Sequence, residues 1–195
     1  MRLNASLRLA ACVGALGLAA CTSNPPQPST PAPAPLASAP AAPPVRIGIA
    51  LGGGAAKGFA HIGVIKMLEA NGFTPVVVSG TSAGSVVGAL YASGMNAFEL
   101  QEKAVALDET KIRDLQLSSG GLVLGQKLED YVNEQVARKP LDQLAKPFVA
   151  VSTRLEDGER TVFARGNTGQ AVRASSSIPG VFQPVSIGKY HYVDG

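Results

Sequence analysis

The sequence predicts an α/β protein whose central sheet is largely parallel, with helices on both faces of the sheet. Between residues 45 and 195, short apolar runs typical of strands alternate with segments of helical periodicity. Two glycine-framed loops, residues 52–54 and residues 80–84, each follow an apolar run and precede a helical segment. Ligands bind at such strand-to-helix crossings in open α/β sheets, so these loops form the candidate functional site.

Each predicted element has its own local signal. Short apolar runs predict strands over residues 45–51, 75–78, 148–153 and 160–164. Helices are predicted over residues 56–70, 85–92 and 126–138, and in a segment that begins at Asn96. The first helix has apolar side chains at helical spacing: Phe59, Ile62, Ile65, Met67 and Leu68. Asn96 and Glu99 have the spacing of a capping box, and residues 156–158 predict the turn of a hairpin.

The N-terminal segment is predicted to direct export and anchoring. Arg2 and Arg8 precede a small apolar run within residues 1–20, which is the layout of an export signal and too short for a membrane-spanning helix. The run ends at Cys21, which resembles the acylated cysteine of a bacterial lipoprotein; the alternative is an ordinary secretory signal. Residues 21–44, rich in Pro and Ala, predict an extended tether. We expect a lipid anchor in the cell envelope, at the periplasmic face of the outer membrane, since Thr22 rather than Asp follows the cysteine.

Composition argues against several kinds of partner. The chain has 17 basic residues, two of them (Arg2 and Arg8) in the signal, against 14 acidic ones, and no basic run is interleaved with aromatic residues. Nucleic acid is therefore not a predicted partner. Cys12 lies in the signal and is the only cysteine besides Cys21, so the domain is predicted to hold no disulfide and no thiolate metal site.

Ser82 is the candidate nucleophile. It follows an apolar run and precedes a helical segment, in the sequence Gly-Thr-Ser-Ala-Gly. A serine on a sharp strand–turn–helix corner needs neighbours without bulk, and Gly80 and Gly84 meet that need. Such a corner would expose the hydroxyl and place the next amide at a positive helix N-terminus. The simpler interpretation is a serine N-cap in a glycine-rich turn.

The first glycine loop allows three interpretations. A phosphate loop of the NTPase type needs Gly-Lys-Ser/Thr, whereas here Lys57 precedes Gly58. A dinucleotide site is disfavoured because the register G-x-G-x-x-G is not met, so no cofactor is predicted. An oxyanion hole needs only free backbone amides near the nucleophile, and Gly52, Gly53 and Gly54 could supply them. Tight packing of strand against helix is the alternative without a catalytic role.

Activation of Ser82 needs a base, and the sequence offers two histidines and one aspartate to consider. His61, on the helix after the first glycine loop, is predicted to pack rather than to react. His191 lies in a predicted strand, and a Ser–His–Asp esterase would use it as the base. Asp194, which follows the same apolar strand, is the candidate carboxylate.

Four segments together resemble the patatin-like phospholipase family: LGGGAAKGFAHIGV (51–64), GTSAG (80–84), RASSSIPGVFQPV (173–185) and VDG (193–195). The resemblance covers residues 45–195 and implies a three-layer α/β/α fold and a Ser–Asp dyad that hydrolyses acyl esters of lipids without a metal. By position, Ser82 matches the nucleophile, Asp194 matches the base, and residues 52–54 match the oxyanion loop. Lys57 stands where the family usually has Arg, which keeps the charge but not the planar fork.

The sequence thus predicts a serine acyl hydrolase that cleaves lipid carboxyl esters, as a phospholipase A, lysophospholipase or esterase, and that meets the membrane through acylated Cys21. Family members continue beyond the Asp-Gly pair, so a domain that ends at Gly195 is expected to be C-terminally incomplete and less active than an extended chain. The alternatives are a Ser–His–Asp esterase that uses His191 and a non-catalytic, lipid-binding envelope lipoprotein.

Overall fold

A computed structural model describes residues 45–107, 115–118 and 121–195. The strands are β1 (Gly48–Leu51), β2 (Val77–Thr81), β3 (Leu115–Ser118), β4 (Gly121–Val123), β5 (Phe148–Arg154), β6 (Arg160–Phe163), β7 (Val185–Ile187) and β8 (Tyr190–Asp194). The α-helices are α1 (Phe59–Ala70), α2 (Ala83–Ala92), α3 (Ala97–Val105), α4 (Gln126–Gln135) and α5 (Thr168–Ser175). The export signal, Cys21 and the tether predicted for residues 1–44 lie outside the described residues.

Six strands form one mixed sheet, in the order β1-β2-β5-β8-β7, with β6 paired to β5. β1, β2 and β5 are mutually parallel, and β6, β7 and β8 join them by antiparallel pairing. The predicted α/β class is confirmed. β1 and β2 are parallel neighbours, with Leu51 in register with Gly80. Both glycine loops therefore leave the sheet side by side, at the carboxyl ends of these two strands.

Strand β5 organises the sheet because three other strands pair with it. β6 occupies one of its edges from Ala150 to Thr153, so β2 and β8 must share the opposite edge. β2 pairs with the first half of β5, and β8 pairs in the opposite direction with the second half. The carboxyl ends of β2 and β8 therefore face each other along a single strand edge.

The core lies where α2 covers β2 and β5. Gly88 on α2 makes room for the Phe148 ring, because a Cβ at Gly88 would lie 2.9 Å from Phe148 Cε2 and 3.2 Å from Val78 Cγ1. On α1, Ile62 and Ile65 are buried as the periodicity predicts, whereas Phe59 and Met67 are 53% and 64% exposed. None of the helices in the described ranges has the length and apolar character needed to cross a membrane.

Local signals set most of the element boundaries. The predicted capping box is confirmed, since Asn96 Oδ1 accepts from the amide of Glu99 at 3.0 Å and Glu99 Oε2 accepts from the amide of Asn96 at 2.8 Å. The prediction that the fourth helix continues through residue 138 was wrong, because α4 ends at Gln135 and Ala137 and Arg138 then adopt left-handed φ angles of 53° and 56°. β2 extends to Thr81, beyond its predicted end, and Ser82 follows directly.

Helices α4 and α5 approach each other closely at Gly169. Its amide donates to Asn133 Oδ1 at 2.8 Å, and a Cβ there would lie only 2.2 Å from the carbonyl oxygen of Glu129. An ion pair between Arg173 and Glu129, 3.1 Å apart, joins the same two helices. Because α5 leads directly into the candidate site, this contact fixes the position of one side of that site.

We predict that Gly169→Ala lowers the free energy of unfolding by about 1–3 kcal/mol, because the added methyl group would overlap with the α4 backbone. Gly63→Ala is the matched control: Gly63 also lies within a helix, and nothing lies within 4 Å of its Cβ position. We expect that control to raise stability by up to about 1 kcal/mol through helix propensity. Urea unfolding of both variants measures the difference, and equal effects would contradict the close approach at Gly169.

Candidate active site

Ser82 occupies the corner between β2 and α2 with a strained backbone. Its φ of 51° and ψ of −127° lie in a region that residues other than glycine rarely adopt. The flanking glycines allow the corner to close. A Cβ at Gly80 would lie 2.4 Å from the carbonyl oxygen of Gly84, and one at Gly84 would lie 2.1 Å from that of Leu51. The sequence-predicted strand–turn–helix corner is therefore present, with Ser82 at its tip.

Ser82 Oγ donates a hydrogen bond to Asp194 Oδ2 at 2.6 Å, although the two residues are 112 positions apart in the chain. The register of β5 explains the contact. Val151 pairs with Thr81, the residue before Ser82, and the next residue of β5, Ser152, pairs with Asp194. The strand ends that face each other thus carry the candidate nucleophile and the candidate carboxylate.

The surroundings of Asp194 disfavour its charged form. Burial raises the pKa of the Asp194 carboxyl above its usual value, and the hydrogen bond from Ser82 partly opposes that rise. A raised pKa makes the carboxylate a stronger base than a solvated aspartate. The geometry and the electrostatics therefore both suit Asp194 to accept a proton from Ser82.

The first glycine loop lies beside Ser82. A Cβ at Gly53 would be 3.3 Å from the Ser82 Cβ, so the loop backbone approaches the Ser82 side chain closely. Within the described ranges, no acceptor is bonded to the amides of Gly53 and Gly54. These two amides therefore have no intramolecular acceptor in the part of the chain that the structure describes, and the loop that carries them lies close to Ser82, the residue at the N-terminus of α2.

Neither histidine forms a hydrogen bond with Ser82. His191 Nδ1 lies 2.9 Å from Glu156 Oε1, and the ring is on the exposed side of β8. Residues an odd number apart on a strand point to opposite faces, so His191 faces away from Asp194 at a distance of ~10 Å along the strand. His61 Nε2 donates to the carbonyl oxygen of Gly52 at 2.8 Å and so contacts the glycine loop from α1, a role that the sequence did not indicate.

Ser175 and Ser177 are contacts of the site that the sequence reasoning missed. The amide of Ser82 donates to both the carbonyl oxygen and the hydroxyl of Ser175, at 3.1 and 2.9 Å, and the amide of Asp194 donates to the carbonyl oxygen of Ser177 at 2.9 Å. The only signal was the run of three serines within the segment that resembles the family. A serine run alone does not indicate which hydroxyl is buried or what it contacts.

Two open grooves lie along α1 rather than at Ser82. One is lined by Gly63, Met67 and Phe73, and the other by Phe59, Ile62 and Val105, among others. Neither groove is lined by Ser82 or Asp194. Among the described residues, no cluster of three His, Cys, Asp or Glu side chains could hold a metal ion.

Fold and site together define an α/β protein with a serine on a strand-to-helix corner. The chain belongs to the patatin-like phospholipase family, because the family model described as Patatin-like phospholipase matches residues 49–195. An uncharacterized NTE family protein of Mycobacterium tuberculosis is 39% identical over 153 residues, which are 77% of this chain and 41% of that protein. Lysophospholipase NTE1 of Pyricularia oryzae is 30% identical over 145 residues, 71% of this chain and 10% of that protein.

Solved structures of low sequence identity share the fold. VipD from Legionella pneumophila matches with a TM-score of 0.63 at 16% identity, over 75% of this chain and 45% of VipD. The type III effector protein ExoU matches with a TM-score of 0.51 at 21% identity, over 72% of this chain and 40% of ExoU. The patatin-like fold predicted from the sequence is confirmed. The chain spans less than half the length of these relatives.

We predict that Asp194→Asn makes the protein more stable at pH 8, and that the gain shrinks as the pH falls. The folded-state pKa of Asp194 is raised, so ionisation costs folding free energy above that pKa and costs nothing once both states are protonated. Asparagine does not titrate and keeps the side-chain shape. Urea unfolding at a series of pH values measures the gain.

The control for this prediction is Asp157→Asn, which should behave in the opposite way. The hydrogen bond from Arg154 lowers the pKa of Asp157, so its charge stabilises the fold above the ordinary pKa and that stability is lost as the pH falls. Asp157→Asn should therefore be destabilising at pH 8 and neutral in acid. An Asp194→Asn gain that grows towards low pH would contradict the burial of the carboxylate.

Proposed function

We propose that this protein is a serine hydrolase that cleaves lipid carboxyl esters, as a phospholipase A, lysophospholipase or esterase. One observation carries the proposal: the 2.6 Å hydrogen bond from Ser82 Oγ to Asp194 Oδ2 at a strand-to-helix corner. Membership of the patatin-like phospholipase family supports a lipid substrate, and one relative of 30% identity is named a lysophospholipase. The proposed anchorage through acylated Cys21 would hold the domain at a membrane surface.

In the proposed mechanism, Asp194 accepts the proton of Ser82 as Oγ forms a bond to the ester carbonyl carbon. The tetrahedral intermediate collapses when the bond to the leaving oxygen breaks, and Asp194 returns the proton to the departing alcohol. Water then attacks the acyl-enzyme with Asp194 again as base, which releases the carboxylic acid and restores Ser82. General-base assistance of this kind contributes roughly 10²–10⁴ in rate.

The negative oxygen of the intermediate would be stabilised by backbone amides. The free N–H groups of Gly53 and Gly54 lie in the loop that approaches Ser82, and Gly52 supplies the carbonyl that His61 holds. A peptide is planar and trans, so its C=O and N–H point in opposite directions. The bond from His61 to the carbonyl of Gly52 therefore fixes the direction of the Gly53 amide. One such donor is worth about 10²–10³ in rate.

The alternative of a Ser–His–Asp esterase is not supported by the geometry. His191 is held by Glu156 on the exposed face of β8 and forms no hydrogen bond with Ser82. A non-catalytic lipid-binding protein would have no need for a serine held in a strained conformation against a half-buried carboxylate, so the strain at Ser82 favours the enzyme.

We predict that Ser82→Ala abolishes both hydrolysis of a short-chain p-nitrophenyl ester and labelling by a fluorophosphonate probe, with a loss of about 10³-fold or more in kcat/KM. His191→Ala serves as the control and should change kcat/KM by about twofold at most, as a surface substitution. Loss of activity in His191→Ala with labelling of Ser82 retained would favour the triad. Absence of Ser82-dependent labelling in the wild-type protein would favour lipid binding without catalysis.

The pH profile should also report on Asp194. Because the base must be ionised, we expect kcat/KM to fall as the pH drops through the pKa of Asp194, at a pH above the ordinary aspartate value of ~3.9. Asp194→Asn should be inactive at every pH while it remains folded. Stopped assays between pH 3.5 and pH 9, with far-UV circular dichroism as a check of folding, measure the profile. An acid limb at or below the ordinary value would count against a buried base.

A further inference from the structure

One short segment contacts the backbones of both members of the Ser–Asp pair. Residues 175–177, here called the serine bridge, accept from the amide of Ser82 at Ser175 and from the amide of Asp194 at Ser177. Ser175 and Ser177 are fully buried. The serine bridge therefore connects the ends of β2 and β8 from the C-terminal end of α5.

Within the serine bridge, the hydroxyl of Ser175 has two simultaneous partners. It accepts from the amide of Ser82 at 2.9 Å and donates to the carbonyl oxygen of Val151 at 2.5 Å. Val151 is the β5 residue that pairs with Thr81, directly before Ser82. A group that donates and accepts at once is needed here, and a buried hydroxyl supplies both roles in the volume of a single oxygen.

The backbone of Ser82 is thus held on both sides. Its amide is bound by Ser175, and its carbonyl oxygen accepts from the hydroxyl and the amide of Ser85, at 2.6 and 2.8 Å. A φ of 51° at a serine persists only when surrounding contacts determine it. The direction of the Cα–Cβ bond, and with it the position of Oγ, follows from that backbone conformation.

We propose that Ser175 is a positioning residue: its hydroxyl holds the strained backbone of Ser82 so that Oγ stays within reach of Asp194. This inference rests on the proposed hydrolase function for its catalytic consequence. It also narrows the choice of oxyanion donors. The amide of Ser82 is engaged with Ser175 and cannot serve, which leaves the amides of the first glycine loop and the first amides of α2 as donors.

Ser175→Ala tests the proposal, with Ser177→Ala as the matched control. Ser177 is equally buried, but its hydroxyl donates to the carbonyl oxygen of Arg173 and it reaches Asp194 only through its main-chain oxygen. Both variants lose one buried hydroxyl and should lose comparable thermal stability. Only Ser175→Ala should lose kcat, by about 10- to 100-fold with KM unchanged, as a small displacement of a nucleophile does.

Two further measurements separate positioning from simple destabilisation. In Ser175→Ala, a weaker Ser82–Asp194 bond should move the acid limb of kcat/KM to higher pH, because that bond lowers the pKa of Asp194; in Ser177→Ala the limb should stay in place. By NMR, hydrogen exchange of the Ser82 amide should quicken in Ser175→Ala only, and by no more than about tenfold, because the main-chain oxygen of Ser175 still accepts from that amide. Ser175→Cys, which keeps the shape with a weaker donor, replaces the alanine variant should that variant not fold.

The outcomes distinguish this inference from the proposed function. Suppose that the Ser82 amide exchanges faster in Ser175→Ala but the wild-type protein shows no Ser82-dependent hydrolysis. The structural role of Ser175 would then stand, and the proposed hydrolase function would be rejected. If the wild-type protein is active but the Ser175→Ala and Ser177→Ala variants lose kcat equally, the positioning role is rejected and the hydrolase assignment stands. The same conclusion follows if the Ser175→Ala variant keeps the wild-type kcat.

Discussion

The site depends on one constraint: two strands must meet end to end along a single edge of β5. β6 fills the other edge, so β2 and β8 arrive from opposite directions and bring Thr81 and Asp194 opposite consecutive residues of β5. The 2.6 Å hydrogen bond between Ser82 and Asp194 is a consequence of that register. A slip of one residue would turn Asp194 to the other face of the sheet and separate the pair.

The close packing around this meeting point explains why the site needs so many residues without bulk. Gly84 places α2 against the carbonyl oxygens that end β1, and Gly80 places β2 against the first turn of α2. Gly195 fits between Thr81 and Val151, where a Cβ would lie 3.0 Å from Thr81 Cγ2 and 2.6 Å from the Val151 carbonyl oxygen. Each of these close backbone contacts restricts the conformations open to the Ser82 backbone, and together they hold its strained φ angle.

Local features of the fold and site could be predicted from the sequence, and contacts between distant segments could not. The capping box at Asn96 and the corner at Ser82 depend on residues within a few positions of each other. In contrast, the pairing of β8 with β5 and the contact of Ser175 with Ser82, 93 positions away, leave no periodicity to detect. Asp194 was a candidate because it follows an apolar strand, and the family resemblance supported that choice. The exposure of Phe59 was missed because helical spacing does not indicate what covers a face.

The burial that would make Asp194 an effective base in the proposed mechanism also costs the fold stability. A carboxylate that is partly removed from water is a stronger base, and the same desolvation disfavours its ionised form in the folded state. Ser82 offsets part of that cost with a hydrogen bond, so moving Ser82 would leave the Asp194 carboxylate with one polar contact fewer and, in the proposed mechanism, without its proton donor. The contacts that hold Ser82 in place, including those from the serine bridge, preserve the hydrogen bond between Ser82 Oγ and Asp194 Oδ2. That one bond therefore contributes to stability and, in the proposed mechanism, to reactivity.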